Sequence, residues 1–224
     1  MAHPTARTLP GPWKVFRAAS ALPAAARLHL AVRRWSAPWP RVVAALSEER
    51  ALLDVGCGPG LLAFLLDARG ASGAYVGIDP DAGKVSRAET WLGRSPRRTF
   101  RACELSELHG ETFDAASIVD VLYLVPRAER AAFVAAVAAR LADGGRAVVL
   151  TSGGGPRWKR LLDRLQERFV VAVLGWTRGS AVEPCDGVEV AALLAAAGFA
   201  DVRVEDAGAG FLHGFELVSG QKSG

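Results

Sequence analysis

The chain has 224 residues, half of them apolar, enough to bury a full-sized core and near the upper end of one ordinary domain. Its formal charge of +4, from 27 basic and 23 acidic side chains, is small and dispersed, and without a basic tract it argues against nucleic acid as a partner. Cys57, Cys103 and Cys185 lie far apart with no paired ligand spacing, so neither a disulfide framework nor a zinc site is indicated. With no secretion signal and no run near the ~20 apolar residues of a spanning helix, the expected location is the cytoplasm.

The stretch before Trp13 is expected to be disordered. Trp13 to Leu46 reads as one or two helices, broken near Pro23 and again near Pro38 and Pro40, because proline removes a backbone donor and fixes φ. Residues 1–50 are thus expected to form a helical cap on one domain spanning 51–224. Leu52 to Val55 is a short apolar strand stopped by glycines, and Leu61 to Ala68 follows as an apolar helix. The alternation recurs: strand Ala74–Ile78, helix Asp81–Leu92, a strand near Thr99–Ala102, strand Phe113–Val119. An Ala-rich helix is expected over Arg127–Leu141, ended by Asp143-Gly144-Gly145, before the strand Arg146–Thr151. Strands alternating with helices imply a parallel sheet covered on both faces.

The last third changes character. Arg157 to Trp176 has Trp158, Leu161, Leu162, Leu165, Phe169 and Val173 at helical spacing with arginines elsewhere, and segment 156–186 reads as an insertion. As a lid it would cover the sheet's ligand edge; as a membrane-surface helix it would bury its apolar stripe in lipid; as core it would simply fill space. A helix over Val188–Ala197 stopped by Gly198 precedes two strands, Asp201–Glu205 and Gly214–Val218, whose short connection predicts an antiparallel pair at the sheet's end.

Gly56, Gly58 and Gly60 in Gly56-Cys57-Gly58-Pro59-Gly60 stand between an apolar strand and an apolar helix. Without side chains there, backbone can approach a ligand at the helix amino terminus. A dinucleotide loop wants a further glycine at position 61, where Leu61 stands, which disfavours a nicotinamide cofactor. Asp79 ends the next strand, about twenty residues on, where a carboxylate can accept the hydroxyls of a ribose; alternatively it caps the helix that follows. Loop and acid together suggest an adenosine moiety.

At Leu52–Gly60 (LLDVGCGPG), Gly77–Asp81 (GIDPD), Phe113–Pro126 (FDAASIVDVLYLVP) and Leu141–Leu150 (LADGGRAVVL) the sequence resembles the class I S-adenosylmethionine-dependent methyltransferases, in that family's order and approximate spacing. The resemblance implies a Rossmann-like doubly wound sheet of seven strands with the last antiparallel, S-adenosylmethionine as cofactor, and a small-molecule acceptor. It puts Asp54 and the backbone of Gly56, Cys57, Gly58 and Gly60 near the methionine portion, Asp79 on the ribose, and Pro80 beside the adenine. The family often has an Asp after its third strand for the adenine amino group. Here the run is Cys103-Glu104-Leu105, with the register open between Cys103 and Glu104. Asp120 and Val121 would lie beside the reacting methyl.

Positioning of two reactants can supply ~7 to 11 kcal/mol, whereas a general base typically adds about 10² to 10⁴-fold, so a strong base is not required. Candidates for such a base are Tyr123, His29 and, with less reason, His213; His109 reads as a loop residue. Tyr123 can equally be an amphipathic wall residue. The apolar, Trp-bearing cap and insertion suggest an aromatic or lipid-like acceptor, with methylation on oxygen favoured over nitrogen or carbon. No metal cluster is expected, since Asp120 alone is too little. The competing class is a non-catalytic Rossmann-like binding protein.

Overall fold

The computed structural model describes residues 22–24, 26–28, 37–46, 50–152, 183–211 and 214–224. The expected helix over 157–176, His29 and His213 lie outside these residues. The described chain runs α1 (Trp39–Leu46), β1 (Ala51–Val55), α2 (Leu61–Arg69), β2 (Ala74–Ile78), α3 (Ala82–Leu92), β3 (Arg98–Arg101), β4 (Phe113–Val119), α4 (Arg130–Ala138), β5 (Leu141–Ser152), α5 (Gly187–Ala196), β6 (Phe199–Asp206) and β7 (Phe215–Lys222). Short 3₁₀ turns cover Leu105–Glu107 and Leu122–Leu124.

The sheet order is β3-β2-β1-β4-β5-β7-β6, parallel throughout except that β7 runs against both β5 and β6. The expected Rossmann-like doubly wound sheet with an antiparallel last strand is therefore present. Alternation along the strands splits the core in two. Leu52, Tyr75, Ala115 and Leu150 join α1, α2 and α3 on one face. On the other, Leu53, Ile78, Ala116 and Val149 join Val134 and Val137 of α4 and Val190 and Leu194 of α5. Burial on both faces is why the central strands read as nearly continuous apolar runs.

Helix ends follow local chemistry. Asp81 caps α3, its side chain accepting from Gly83 N–H at 2.9 Å and Lys84 N–H at 3.1 Å. Asp186 does the same for α5 by accepting from Glu189 N–H at 2.9 Å. Ala37 and Pro38 are not helical and α1 begins at Trp39, in line with a helix boundary near these prolines; Pro40 sits in the first turn, where a missing N–H costs nothing. One sequence expectation is corrected. The Ala-rich helix stops earlier than expected, at Ala138, and Asp143-Gly144-Gly145 lies inside β5. Leu141 pairs with Phe113 and Arg146 with Ala115, so Ala142 to Gly145 bulge opposite Asp114 alone. Gly144 adopts φ +74°, and a Cβ on Gly145 would come within 2.8 Å of the Ala142 carbonyl, so these glycines serve the bulge and not a helix stop.

Candidate functional site

The order β3-β2-β1-β4-β5 reverses direction between β1 and β4, the place where open α/β sheets leave a crevice beyond their carboxyl ends. Segments following β1, β2, β3 and β4 converge on this edge, and they carry the residues singled out in the sequence: Asp54 and the glycine loop, Asp79 and Pro80, Cys103 to Leu105, Asp120 and Val121.

The three loop glycines all have positive φ, at +74° for Gly56, +53° for Gly58 and +82° for Gly60, but their surroundings differ. A Cβ on Gly56 would come within 2.4 Å of Val121 Cγ2, and one on Gly60 within 2.8 Å of Leu92 and 3.2 Å of Ala88. Gly56 thus lets the segment after β4 close on the loop, while Gly60 lets α2 start against α3. At Gly58 a Cβ would meet nothing within 4 Å. Its backbone faces open space, which is what a ligand approach needs. Cys57 contributes only backbone there, since its side chain is buried against Gly77, where a Cβ would lie 2.9 Å from that of Cys57. Burial and the nearby Asp54 and Asp79 push the Cys57 thiol far up, so it stays protonated.

Asp79 is 5 % exposed and clips the loop to the end of β2. One carboxylate oxygen accepts from Gly58 N–H at 3.0 Å; the other accepts from Asp81 N–H at 2.9 Å and lies 3.8 Å from Lys84 Nζ. It is not the cap of α3, a role Asp81 fills. Each oxygen retains a second lone pair for a hydroxyl donor. Pro80 beside it is exposed.

Asp54 is 3 % exposed and is held from both neighbouring strands. Tyr75 Oη donates to one carboxylate oxygen at 2.5 Å and Ser117 Oγ to the other at 2.6 Å. Burial raises the Asp54 carboxyl to about 6; the two hydroxyl hydrogen bonds pull it back down, and the Asp79 charge adds to the rise.

After β3, Cys103 is half-buried against the second core face, and burial raises its thiol. Leu105 is buried. Glu104 is exposed and starts the 3₁₀ turn, its N–H donating to Glu107 Oε1 at 3.1 Å. Of Cys103, Glu104 and Leu105, Glu104 is therefore the most exposed side chain. Asp120 follows β4 in a left-handed conformation, φ +56°, uncommon for a residue with a side chain. Tyr123 sits half-buried in the next 3₁₀ turn, and its carbonyl accepts from Glu183 N–H at 3.1 Å. His109 is exposed in a loop, as its sequence context suggested.

Three contributors were not singled out in the sequence. Tyr75 and Ser117 carry the only signal available, a hydroxyl interrupting an apolar strand. Arg130 gave none. It is fully buried and gathers the segment after β4, the chain's return at Glu183, and α5. Its guanidinium donates to the carbonyls of Leu122 at 3.2 Å, Val125 at 3.1 Å, Pro184 at 3.2 Å and Glu183 at 2.5 Å, and to Glu189 Oε1 at 2.9 Å. At the opposite end of β1 and β2 a small cavity, about 20 Å³, is lined by Leu46, Leu52, Tyr75 and Arg98 among others; it has room for one water. Among the described residues no cluster of three His, Cys, Asp or Glu converges as a metal site, and no helix is long and apolar enough to cross a membrane.

Comparison with known proteins agrees with this geometry. Residues 52–145 match the family described as a methyltransferase domain. The chain is 31% identical over 127 residues to a ubiquinone biosynthesis O-methyltransferase of Xanthomonas campestris pv. campestris, covering 55% of this chain and 48% of that protein. It is 33% identical over 127 residues to the Xylella fastidiosa protein of the same name, covering 55% and 46%. The chain thus spans about half the length of the curated relatives it matches. In structure it is similar to human N-acetylserotonin methyltransferase in complex with S-adenosylmethionine, with TM-score 0.65 and 18% identity over 85% of this chain and 53% of that one. It is also similar to magnesium protoporphyrin IX methyltransferase from Synechocystis PCC 6803 with bound S-adenosylhomocysteine, with TM-score 0.60 and 17% identity over 94% of both chains. Residues 52–145 are thus similar to a methyltransferase domain, and the seven-stranded sheet that carries them is the fold of these methyltransferase structures.

Proposed function

We propose that the chain transfers a methyl group from S-adenosylmethionine to a small, fairly apolar acceptor, aromatic or lipid-like, with oxygen as the favoured atom. The observation that carries this reading is the pairing, at the switch point of the sheet, of an open loop backbone at Gly58 with two buried carboxylates, Asp54 and Asp79. These residues fit the cofactor: Asp79 has lone pairs left for ribose hydroxyls, and Asp54 is a buried anion suited to a cationic amino group. Glu104, with Cys103 and Leu105, would border the adenine together with Pro80. When bound, S-adenosylmethionine supplies a sulfonium methyl group.

The chain's own residues then align and exclude. Asp120 and Val121 would flank the methionine portion, and Val121 already touches the loop at Gly56. Tyr123 would orient the acceptor or wall its pocket, with His29 a second candidate from the cap. Segments 1–50 and 156–186 are assigned the shaping of that pocket on their apolar, Trp-bearing sequence, and the lid reading of 157–176 is preferred to contact with a membrane surface. The O-methyltransferase names of the relatives support oxygen as the acceptor atom. No nucleic-acid partner is assigned, and a cytoplasmic location fits a biosynthetic role.

Isothermal titration of the full chain tests the reading at its base. S-adenosylhomocysteine is expected to bind, and incubation with methyl-labelled S-adenosylmethionine and a panel of phenolic and lipid-like hydroxyl compounds is expected to give labelled product. Absence of binding would favour a non-catalytic protein on this fold.

A further inference from the structure

Asp54 is a buried carboxylate held only by neutral donors. Tyr75 and Ser117 each occupy one lone pair of one oxygen, leaving further acceptor sites on both, and among the described residues no cation lies within ion-pair distance of it. A neutral hydroxyl compensates a buried negative charge much less than an ammonium or guanidinium does. The arrangement is built across three strands. Asp54 lies opposite Gly77 of β2 and Ser117 of β4 in the sheet register. Tyr75, opposite Leu52, reaches along the sheet to Asp54 past the bare Gly77, where a Cβ would come within 2.9 Å of the tyrosine ring. Omission of a side chain at position 77 is what gives the hydroxyl its path.

We propose that Tyr75 and Ser117 are positioning residues that hold the Asp54 carboxylate aimed as the receptor for the ammonium group of the cofactor's methionine portion. The inference rests on the reading of this edge as an S-adenosylmethionine site. The charged and titratable groups around Asp54 fit it. Asp79, on the end of β2, opposes ionisation of Asp54 and is itself offset by Lys84 of α3. Cys57 of the loop and Tyr75 of β2 are both pushed up and stay neutral across the physiological range. Arg98 of β3 acts on Tyr75 and not on Asp54 directly. The apolar side chains of α2 over this face contribute no charge. An arriving ammonium is therefore the cation that completes the site, and Asp54 with a carboxyl near 6 must lose its proton to receive it.

The test compares S-adenosylhomocysteine with 5′-methylthioadenosine, which keeps the adenosine and lacks the amino-acid portion, by titration of the full chain from about pH 5.5 to about pH 7.5, where an α-amino group stays largely protonated. For the wild type, S-adenosylhomocysteine affinity is expected to fall toward about tenfold per pH unit below about 6, with proton release on binding, while 5′-methylthioadenosine stays flat. Tyr75→Phe keeps the ring and removes the donor; Ser117→Ala removes the other donor. Each is expected to weaken S-adenosylhomocysteine roughly three- to tenfold near neutral pH and to move the pH midpoint upward, leaving 5′-methylthioadenosine unchanged. Equal loss of both ligands at every pH, or a wild-type profile shared by the two, would overturn the proposal while leaving the cofactor site standing. Binding of neither ligand by the wild-type chain overturns the site reading and this inference with it.

Discussion

Two charges are buried on opposite faces of one sheet, and they are treated in opposite ways. Arg130, under α4 and α5, has a carboxylate partner in Glu189 and four backbone carbonyls around it. Asp54, under α2, has two hydroxyls and an unfavourable neighbour in Asp79. A buried charge whose partners are all supplied by the chain holds structure together. One left short of a countercharge is poised for a charge that comes from outside. The same contrast sorts the two sides of the crevice: the side proposed for the cofactor is built from loop backbone with Asp54 and Asp79, and the side proposed for the acceptor is fastened by an arginine that ties Tyr123's turn to the return of the chain at Glu183.

The largest effect should come from breaking the saturated side. Arg130→Met removes the guanidinium, leaves four carbonyls and Glu189 without their donor, and is expected to cost about 3 to 5 kcal/mol in urea or thermal unfolding. A loss under about 1 kcal/mol would mean that water replaces the guanidinium easily and that Arg130 is not the fastening described. Next is Asp79→Ala, which removes both the clip on Gly58 N–H and the proposed ribose acceptor. Two hydrogen bonds to a charged group at about 1.5 to 3 kcal/mol each predict at least a hundredfold loss of S-adenosylhomocysteine affinity. Because the ribose is common to both ligands, 5′-methylthioadenosine should lose as much. Equal affinity in wild type and variant would remove Asp79 from the site.

How much of this could be read from sequence follows from the range of the interactions. β2 and β4 lie at the bounds their apolar runs implied, and the loop from Gly56 to Gly60 announces itself because three glycines between strand and helix are a local signature. Asp79 was legible as an acid at the right spacing, but its grip on Gly58 N–H was not, since the two lie 21 residues apart and only the fold brings them together. Asp143-Gly144-Gly145 misleads for the opposite reason. The same residues that stop a helix also fit a bulge, and the choice depends on pairing with β4 across the sheet. Arg130 lies on an Ala-rich helix where no local motif marks it, and its five partners come from three separate stretches of chain. Tyr75 and Ser117 are single hydroxyls whose meaning exists only through Asp54.

The uncompensated side should respond with the opposite sign in stability. Asp54 has a folded-state carboxyl near 6 against an ordinary value of 3.8, so its protonated form is favoured by folding. Its contribution to stability is fully present below the unfolded value and is lost as pH rises through about 6. Asp54→Asn keeps the shape without the ionisation. It is expected to make the ligand-free chain more stable above about pH 7 by on the order of 1 to 3 kcal/mol, an advantage that shrinks as pH falls through about 6 and disappears by about pH 3, where the carboxyl is neutral in folded and unfolded chain alike. The same variant should weaken S-adenosylhomocysteine and spare 5′-methylthioadenosine. A variant destabilised at every pH would show that Asp54 is a structural tie between strands, like Arg130, and would erase the distinction.

The smallest effect on binding and stability is expected at Tyr123, where the interest lies in turnover. Its backbone carbonyl is engaged by Glu183 N–H, and that contact survives any side-chain substitution, so Tyr123→Phe should keep the turn in place and leave S-adenosylhomocysteine affinity within about 0.5 kcal/mol of wild type. If the phenol orients or deprotonates the acceptor, kcat falls, by up to the about 10² to 10⁴-fold that a general base supplies, and the alkaline limb of the kcat profile changes with it. If the ring is only wall, kcat and its pH dependence are unchanged and any effect appears in the KM of the acceptor alone. A fall in cofactor affinity would place Tyr123 on the other side of the crevice, with the methionine portion, and would mean that the Arg130-fastened turn serves the cofactor as well as the acceptor.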